Sequence, residues 1–162
     1  MQLNCVDSAE IARTHVDSTA LSLISSFARF YPDIEDWFAL KVIPGLADGT
    51  RRILIDRDVN SVRGLAILKK EADERKICTL WVHPNQRKHG LGQRLIDESI
   101  TWLECKKPTL TVPEEAIADF HGLLARNGFE LRQHAIDYYR PGVCEFVYNG
   151  SLPTPLAGPM LQ

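Results

Sequence analysis

Between Val82 and Leu95 the chain reads Val-His-Pro-Asn-Gln-Arg-Lys-His-Gly-Leu-Gly-Gln-Arg-Leu, an apolar end, a basic loop with two glycines, and the start of a helical period. Such an order suits an anion. The first turn of a helix presents backbone N–H groups without intrahelical partners at the positive end of its dipole, and glycines let that backbone come close to a ligand. Arg87 and Lys88 stand just ahead of the glycines and add full positive charge; Arg87 is also spaced to order the loop. The chemistry implied is the holding of a phosphate or pyrophosphate.

Several phosphate-binding patterns share this physics. A Walker-type loop needs Gly-Lys-Ser/Thr after four residues, which is absent. A dinucleotide fingerprint competes better, because Gly90-x-Gly92 opens a helix and Glu114 or Glu115 follows ~20 residues on. Its third glycine position holds Leu95, however, and a basic insertion separates the strand from the glycines. A strand-turn-helix with a purely structural role is the remaining alternative. Metal chemistry has no support, since Cys5, Cys78, Cys105 and Cys144 are widely separated and the five histidines show no ligand spacing with them. The thiols read as reduced, buried and inert.

The elements that must position this loop follow from periodicity. Gln2–Val6 suits a short strand, and Asp7 with Glu10 resembles a capping box. Leu21, Ile24 and Phe27 mark a helix from Ser18 to Phe30; a second begins at Pro32, with Ile34, Trp37, Phe38 and Val42 on one face, until Pro44 and Gly45 stop it. Period-two or short apolar runs at 52–56, 62–68 and 77–82 predict an antiparallel meander. Leu91, Leu95, Ser99 and Leu103 then lie on one helical face. A strand over 109–112, a helix over 115–126 capped by Gly128, and strands over 129–139 and 144–148 complete the order. From Ser151 the sequence, rich in Pro, Leu and Gly, reads as a flexible tail outside a single domain of residues 1–150.

Val82-His83-Pro84 followed by Arg87-Lys88-His89-Gly90-Leu91-Gly92 closely resembles the signature of the GNAT acetyltransferase superfamily, and the element order resembles that family's order over about residues 1–149. Gly128-Phe129 is similar to the Gly-Phe that closes the family's fourth helix. The resemblance implies an α/β (α+β) GNAT fold: a central mixed twisted sheet whose parallel central strands splay apart, flanked by about four helices. It also implies an acetyl-CoA-dependent N-acetyltransferase acting on a primary amine by direct attack on the thioester. The coenzyme A pyrophosphate would lie on backbone N–H groups of Lys88, His89, Gly90, Leu91 and Gly92 with Arg87 nearby. The main chain of Leu80, Trp81 and Val82 would pair with pantetheine.

The pattern departs from the family at the proton-transfer positions. Many members carry a Tyr four residues before the Gly and an Asn seven residues earlier; here these are Leu124 and Ile117, and a common carboxylate site on the strand before Val-x-Pro holds Cys78. Replacement acids or bases are Tyr138 and Tyr139 late in the sixth strand, Glu114 and Glu115 after the fifth, and His121 on the fourth helix. Core packing or solvent exposure is the competing reading of each. Trp37 and Phe38 belong either to the core or to an acceptor-groove wall.

With 44% hydrophobic and 25% charged residues and net charge −2, the 162-residue chain has ordinary globular composition and carries no overall bias toward polyanions. No apolar run reaches the roughly 18 to 20 residues of a membrane span, and no basic-then-apolar leader opens the chain. The expected setting is the cytoplasm, with a small-molecule or peptide amine as partner, aminoacyl-tRNA and homodimer formation left open. A coenzyme A-binding module without turnover is the alternative function.

Overall fold

The computed structural model describes residues 4–6 and 18–154. The proposed capping box at Asp7 and Glu10, the side chain of Cys5, and residues 155–162 lie outside the described residues. The strands are β1 (Asn4–Val6), β2 (Arg51–Arg57), β3 (Val62–Lys70), β4 (Arg75–Val82), β5 (Thr109–Pro113), β6 (Leu131–Ile136) and β7 (Cys144–Tyr148). They form one sheet in the order β1-β2-β3-β4-β5-β7-β6, antiparallel throughout except for the central β4–β5 pair.

Helices cover both faces. On one side lie α1 (Ser18–Ser26), α2 (Ile34–Trp37) and α3 (Ile43–Asp48), which enclose Ile24, Phe27, Trp37, Leu46, Leu65 and Ile67 in one core. On the other lie α4 (Leu91–Leu103) and α5 (Ile117–Arg126), packed on Leu68, Ile77, Leu80 and Leu110. All four residues of the expected α4 face, Leu91, Leu95, Ser99 and Leu103, are buried. Ser99 stays satisfied there by donating its hydroxyl to the Leu95 carbonyl at 2.6 Å.

Several boundaries differ from expectation, two of them by more than a turn or in a way that moves a candidate residue. Pro44 and Gly45 do not end the second helix. A π-helical turn, Phe38–Val42, joins α2 to α3, and the run ends at Gly49. In that wider turn the Ile43 N–H bonds to the Phe38 carbonyl, so the chain passes Pro44 without the tight i−4 geometry that its ring and missing N–H would disrupt. The sixth strand stops at Ile136 rather than at Tyr139. Asp137 turns left-handed at φ +60°, its N–H bonds to the Val143 carbonyl at 3.1 Å, and its carboxylate accepts the Gly142 N–H at 2.5 Å. Tyr138 and Tyr139 therefore sit in the loop to β7. Packing continues past β7, since Leu152 is buried with Ala135 and Val147 and its N–H reaches the Gln133 side chain at 2.8 Å.

The central strands part early. β4 and β5 pair only at Lys76↔Thr109 and Ile77↔Leu110, although β4 stays with β3 as far as Val82 and β5 with β7 as far as Pro113. A register shift between Ile67 and Leu68 places Cys78 at a bulge, where added twist turns β4 away from β5. Thr79 to Val82 thus keep one paired edge and one open edge. Among the described residues no helix is long and apolar enough to cross a membrane, and no group of three potential metal ligands occurs.

Candidate functional site

The opening between β4 and β5 is a cleft of ≈ 490 Å³. Cys78 to Val82 form one wall and Leu110 to Pro113 the other; the amino end of α4 and residues of α5 close one end, and Phe27, Phe30 and Tyr31 the other. Trp81 is held between Phe27, with ring centroids 6.4 Å apart, and His83, at 5.8 Å.

At the α4 end the basic loop has the geometry of an anion cradle. A 3-10 turn over Pro84–Gln86 is fixed by the Asn85 N–H donating to His83 Nδ1 at 3.1 Å. Lys88 and Gly90 both take left-handed backbone, φ +63° and +83°, a conformation that costs a side-chain-bearing residue but not glycine. The Arg94 N–H to Gly90 carbonyl bond, 3.1 Å, closes the first turn of α4, and no side chain caps it. The N–H groups of that turn have no intrahelical partner. At Gly92 a side chain would begin 3.1 Å from Leu123 Cδ2, so glycine is what lets α4 and α5 approach at the mouth of the cleft. Arg87 orders the loop as expected: its Nε donates to the Val82 carbonyl at 3.3 Å and its guanidinium pairs with Asp119 of α5 at 2.8 Å.

Leu80, Trp81, Val82, Arg87, Lys88, Gly90 and Gly92 line the cleft, seven of the nine residues expected at the cofactor. His89 faces solvent, and the Leu91 side chain lies in the core at 6% exposure, which leaves these two only their main chain to offer.

The acid-base candidates are dispersed. His121, Glu114 and Glu115 are exposed and do not line the cleft. Glu115 is ion-paired with Arg140 at 2.7 Å; burial raises its carboxyl, but a backbone hydrogen bond and Arg140 outweigh this and hold it below the ordinary range. That makes it a weak base. Tyr138 is half-buried against Tyr139, and Tyr139 stacks edge-on against Tyr31 at 5.1 Å. Burial pushes both hydroxyls up, Tyr139 strongly, so both remain neutral donors near pH 7. Leu124 and Ile117 pack in the core. Cys78 does line the cleft, but burial raises its thiol and Arg51 donates to its sulfur at 3.3 Å, an environment for an intact thiol.

Trp37 and Phe38 are core residues, 6% and 4% exposed, and the aromatic wall is supplied instead by Phe27, Phe30 and Tyr31 at the α1 end. The helix face that carries Trp37 and Phe38 is turned onto β2 and β3, against Ile53, Ile55, Leu65 and Ile67. Asp119, Tyr31, Thr111 and Glu145 escaped the sequence reading. Only Glu145 gave a signal, a charge in the strand Cys-Glu-Phe-Val-Tyr at the same parity as inward-facing Val147.

A family model described as the acetyltransferase (GNAT) family matches residues 20–129, a range that contains the splayed strands and the whole basic loop. The chain belongs to this family. Solved GNAT structures agree in fold. An acetyltransferase assigned to the GNAT family from Desulfovibrio desulfuricans superposes with TM-score 0.63 at 14% identity, over 83% of this chain and 92% of its own. A chimeric spermidine N-acetyltransferase from Vibrio cholerae gives TM-score 0.62 at 18% identity over 91% and 95%. An aminoglycoside 6'-N-acetyltransferase complexed with coenzyme A gives 0.56 at 11% identity over 88% and 97%. No curated protein matches the chain in sequence. The mixed sheet and the β4–β5 splay of the GNAT fold are thus both present.

Proposed function

We propose that this chain transfers the acetyl group of acetyl-CoA to a primary amine, which attacks the thioester directly. One observation carries the reading: two parallel strands pair over two residues and then part beside an uncapped helix amino end that bears Gly90, Gly92, Arg87 and Lys88. The residues present fit coenzyme A chemically. Unpaired N–H groups and two cations suit a pyrophosphate, the open edge of β4 from Leu80 to Val82 suits an amide-bearing arm, and the apolar walls suit its methylenes. Within the cleft, chain groups would orient the thioester, polarise its carbonyl through a backbone N–H near Val82, and hold the amine beside it.

The names of two structural neighbours, acetyltransferases of spermidine and of aminoglycosides, make small-molecule amines the first acceptors to try. Thermal unfolding with and without acetyl-CoA tests the cofactor site. Ligand at about 100 times its dissociation constant adds about 2.7 kcal/mol, a rise of several degrees for a domain of this size. The rise is expected in wild type and absent in a folded Arg87→Ala/Gly92→Trp variant, whose indole fills the space at Leu123. No rise in wild type at saturating ligand refutes the reading. The buried Leu124, at a position where many family members carry a Tyr, favours one second reading, a coenzyme A-binding module without turnover. Its mark would be a full thermal shift with no thiol release on any amine.

A further inference from the structure

Glu145 is 1% exposed, and neither of its carboxylate oxygens has a hydrogen-bond partner among the described residues. A buried carboxylate in that state is costly and calls for a reason. The cation that most favours its ionised form is engaged elsewhere: Arg140 pairs with Glu115 at 2.7 Å and donates to the Arg29 carbonyl at 3.1 Å. Two donors around it are also incomplete, since Arg140 Nε and the Tyr139 hydroxyl are buried without a full hydrogen bond. This network is short of a ligand.

Its position connects it to the cleft. Glu145 stands opposite Pro113 in the β5–β7 register, and Thr111 opposite Val147, so Thr111 and Glu145 share one face of the sheet. Thr111, Pro113 and Tyr31 all line the cleft. The Tyr31 hydroxyl feels both the Thr111 hydroxyl and the Glu145 charge, and Tyr139 stacks on Tyr31. We propose that Glu145, approached past the hydroxyls of Tyr31 and Thr111, accepts the proton that the acceptor's ammonium must lose before it attacks the thioester.

This rests on the acetyl-transfer reading. The ammonium N–H bond breaks, its proton passes to a Glu145 oxygen directly or along a hydroxyl or water, and the nitrogen lone pair forms the bond to the thioester carbonyl carbon. Collapse breaks the carbon–sulfur bond, and the second nitrogen proton leaves with the thiolate as the free thiol. Protonation balances without a further reactant. Burial pushes the Glu145 carboxyl up to about 7; Arg140 and Lys76 draw it down, Glu115 and Glu114 push it up, and the Tyr31 and Tyr139 hydroxyls stay neutral. A base with that affinity is ionised at and above neutral pH yet still takes a proton.

The test is thiol release from acetyl-CoA between pH 5.5 and 9 by wild type, Glu145→Gln and Glu145→Asp, with spermidine, an aminoglycoside and water itself as acceptors. Thermal stabilisation by acetyl-CoA is read in parallel. The expected result is a wild-type rate that rises tenfold per pH unit below about pH 7, as one group ionises. In Glu145→Gln the rate at pH 7.5 falls on the order of 100-fold and that limb disappears, while acetyl-CoA stabilisation is retained. Glu145→Asp restores part of the rate. An unchanged profile in Glu145→Gln overturns the proposal, as does a wild type that binds acetyl-CoA but releases no thiol to any acceptor. Should Glu145→Gln fail to fold, the wild-type limb and Glu145→Asp decide: no limb near pH 7 overturns it. Absence of acetyl-CoA binding by wild type, or binding without thiol release to any acceptor, overturns the acetyl-transfer reading and the base assignment with it; turnover with an unchanged Glu145→Gln profile overturns the base assignment alone.

Discussion

In the proposed cofactor site Arg87 would meet a pyrophosphate, but in the structure its guanidinium is held by Asp119, 2.8 Å away and on the cleft lining. A bound diphosphate would have to share Arg87 with that carboxylate. With the phosphates on the far side of the guanidinium, about 7 Å from Asp119, each negative charge meets a repulsion of about 0.6 kcal/mol at the dielectric constant of water. Two charges give about 1.2 kcal/mol, an ~8-fold effect on affinity before screening; a Debye length of about 20 Å at 20 mM salt leaves ~4-fold, and one of about 8 Å at physiological ionic strength leaves ~2-fold. The ion pair is itself half-exposed, with side chains 40% and 50% accessible, so its loss should change folding stability by no more than ~1 kcal/mol. Asp119→Asn should therefore tighten coenzyme A binding by calorimetry at 20 mM salt, and less so at 150 mM. The gain should shrink in an Arg87→Ala background. Weaker binding in Asp119→Asn at both salt concentrations would refute the reasoning, and would mean that Asp119 serves by holding Arg87 in place.

Glu145 should also mark stability. Its folded carboxyl is raised to about 7 from 4.5, so its contribution is fully present below pH 4.5 and is lost as pH rises through 7. Glu145→Gln should accordingly gain on wild type by on the order of 3 kcal/mol between pH 4.5 and pH 8, read from urea unfolding at each pH; a gap that does not widen with pH contradicts the buried, unpaired carboxylate. Leu95, fully buried where α4 crosses the sheet, should cost about 2 to 5 kcal/mol as Leu95→Ala in the same assay, with the acetyl-CoA shift preserved because its side chain is absent from the cleft.

The parts legible in the sequence are those whose cause is local. The α4 face and its amino-terminal loop are contiguous, and hydrophobic period, glycines and basic residues all point the same way, so Arg87, Lys88, Gly90 and Gly92 stand out in the sequence, and all four line the cleft. Pro44 misled because the rule that proline ends a helix assumes α geometry, and the π turn before it relaxes that assumption. Tyr138 and Tyr139 continue the composition of β6, but the left-handed Asp137 ends the strand two residues after Ala135 turns inward. Aromatic residues at helical spacing look alike whether they line a groove or a core, which is why Trp37 and Phe38 stayed ambiguous until the helices were set against the sheet. The polar cluster was the least legible: Tyr31, Thr111, Tyr139 and Glu145 come from α1's exit, β5, the β6–β7 loop and β7, and only the fold brings them together.

One structural event links the two halves of this site. The bulge at Cys78 turns β4 outward, and Pro113, lacking an N–H, brings β5 to its end at the far wall. Had the parallel pairing continued, the edge of β4 from Thr79 to Val82 would be spent on β5 and the cleft would close over Thr111. Because the pairing stops after two residues, the cations Arg87 and Lys88 stand at one end of the opening and Glu145 lies behind its β5 wall, near the other. A positive end favours the anionic part of an acyl donor, and a buried carboxylate favours a cationic acceptor. In the proposed reaction the polarity of the cleft would give the two reactants opposite directions of entry, and a substitution that restored β4–β5 pairing would remove both proposed sites at once.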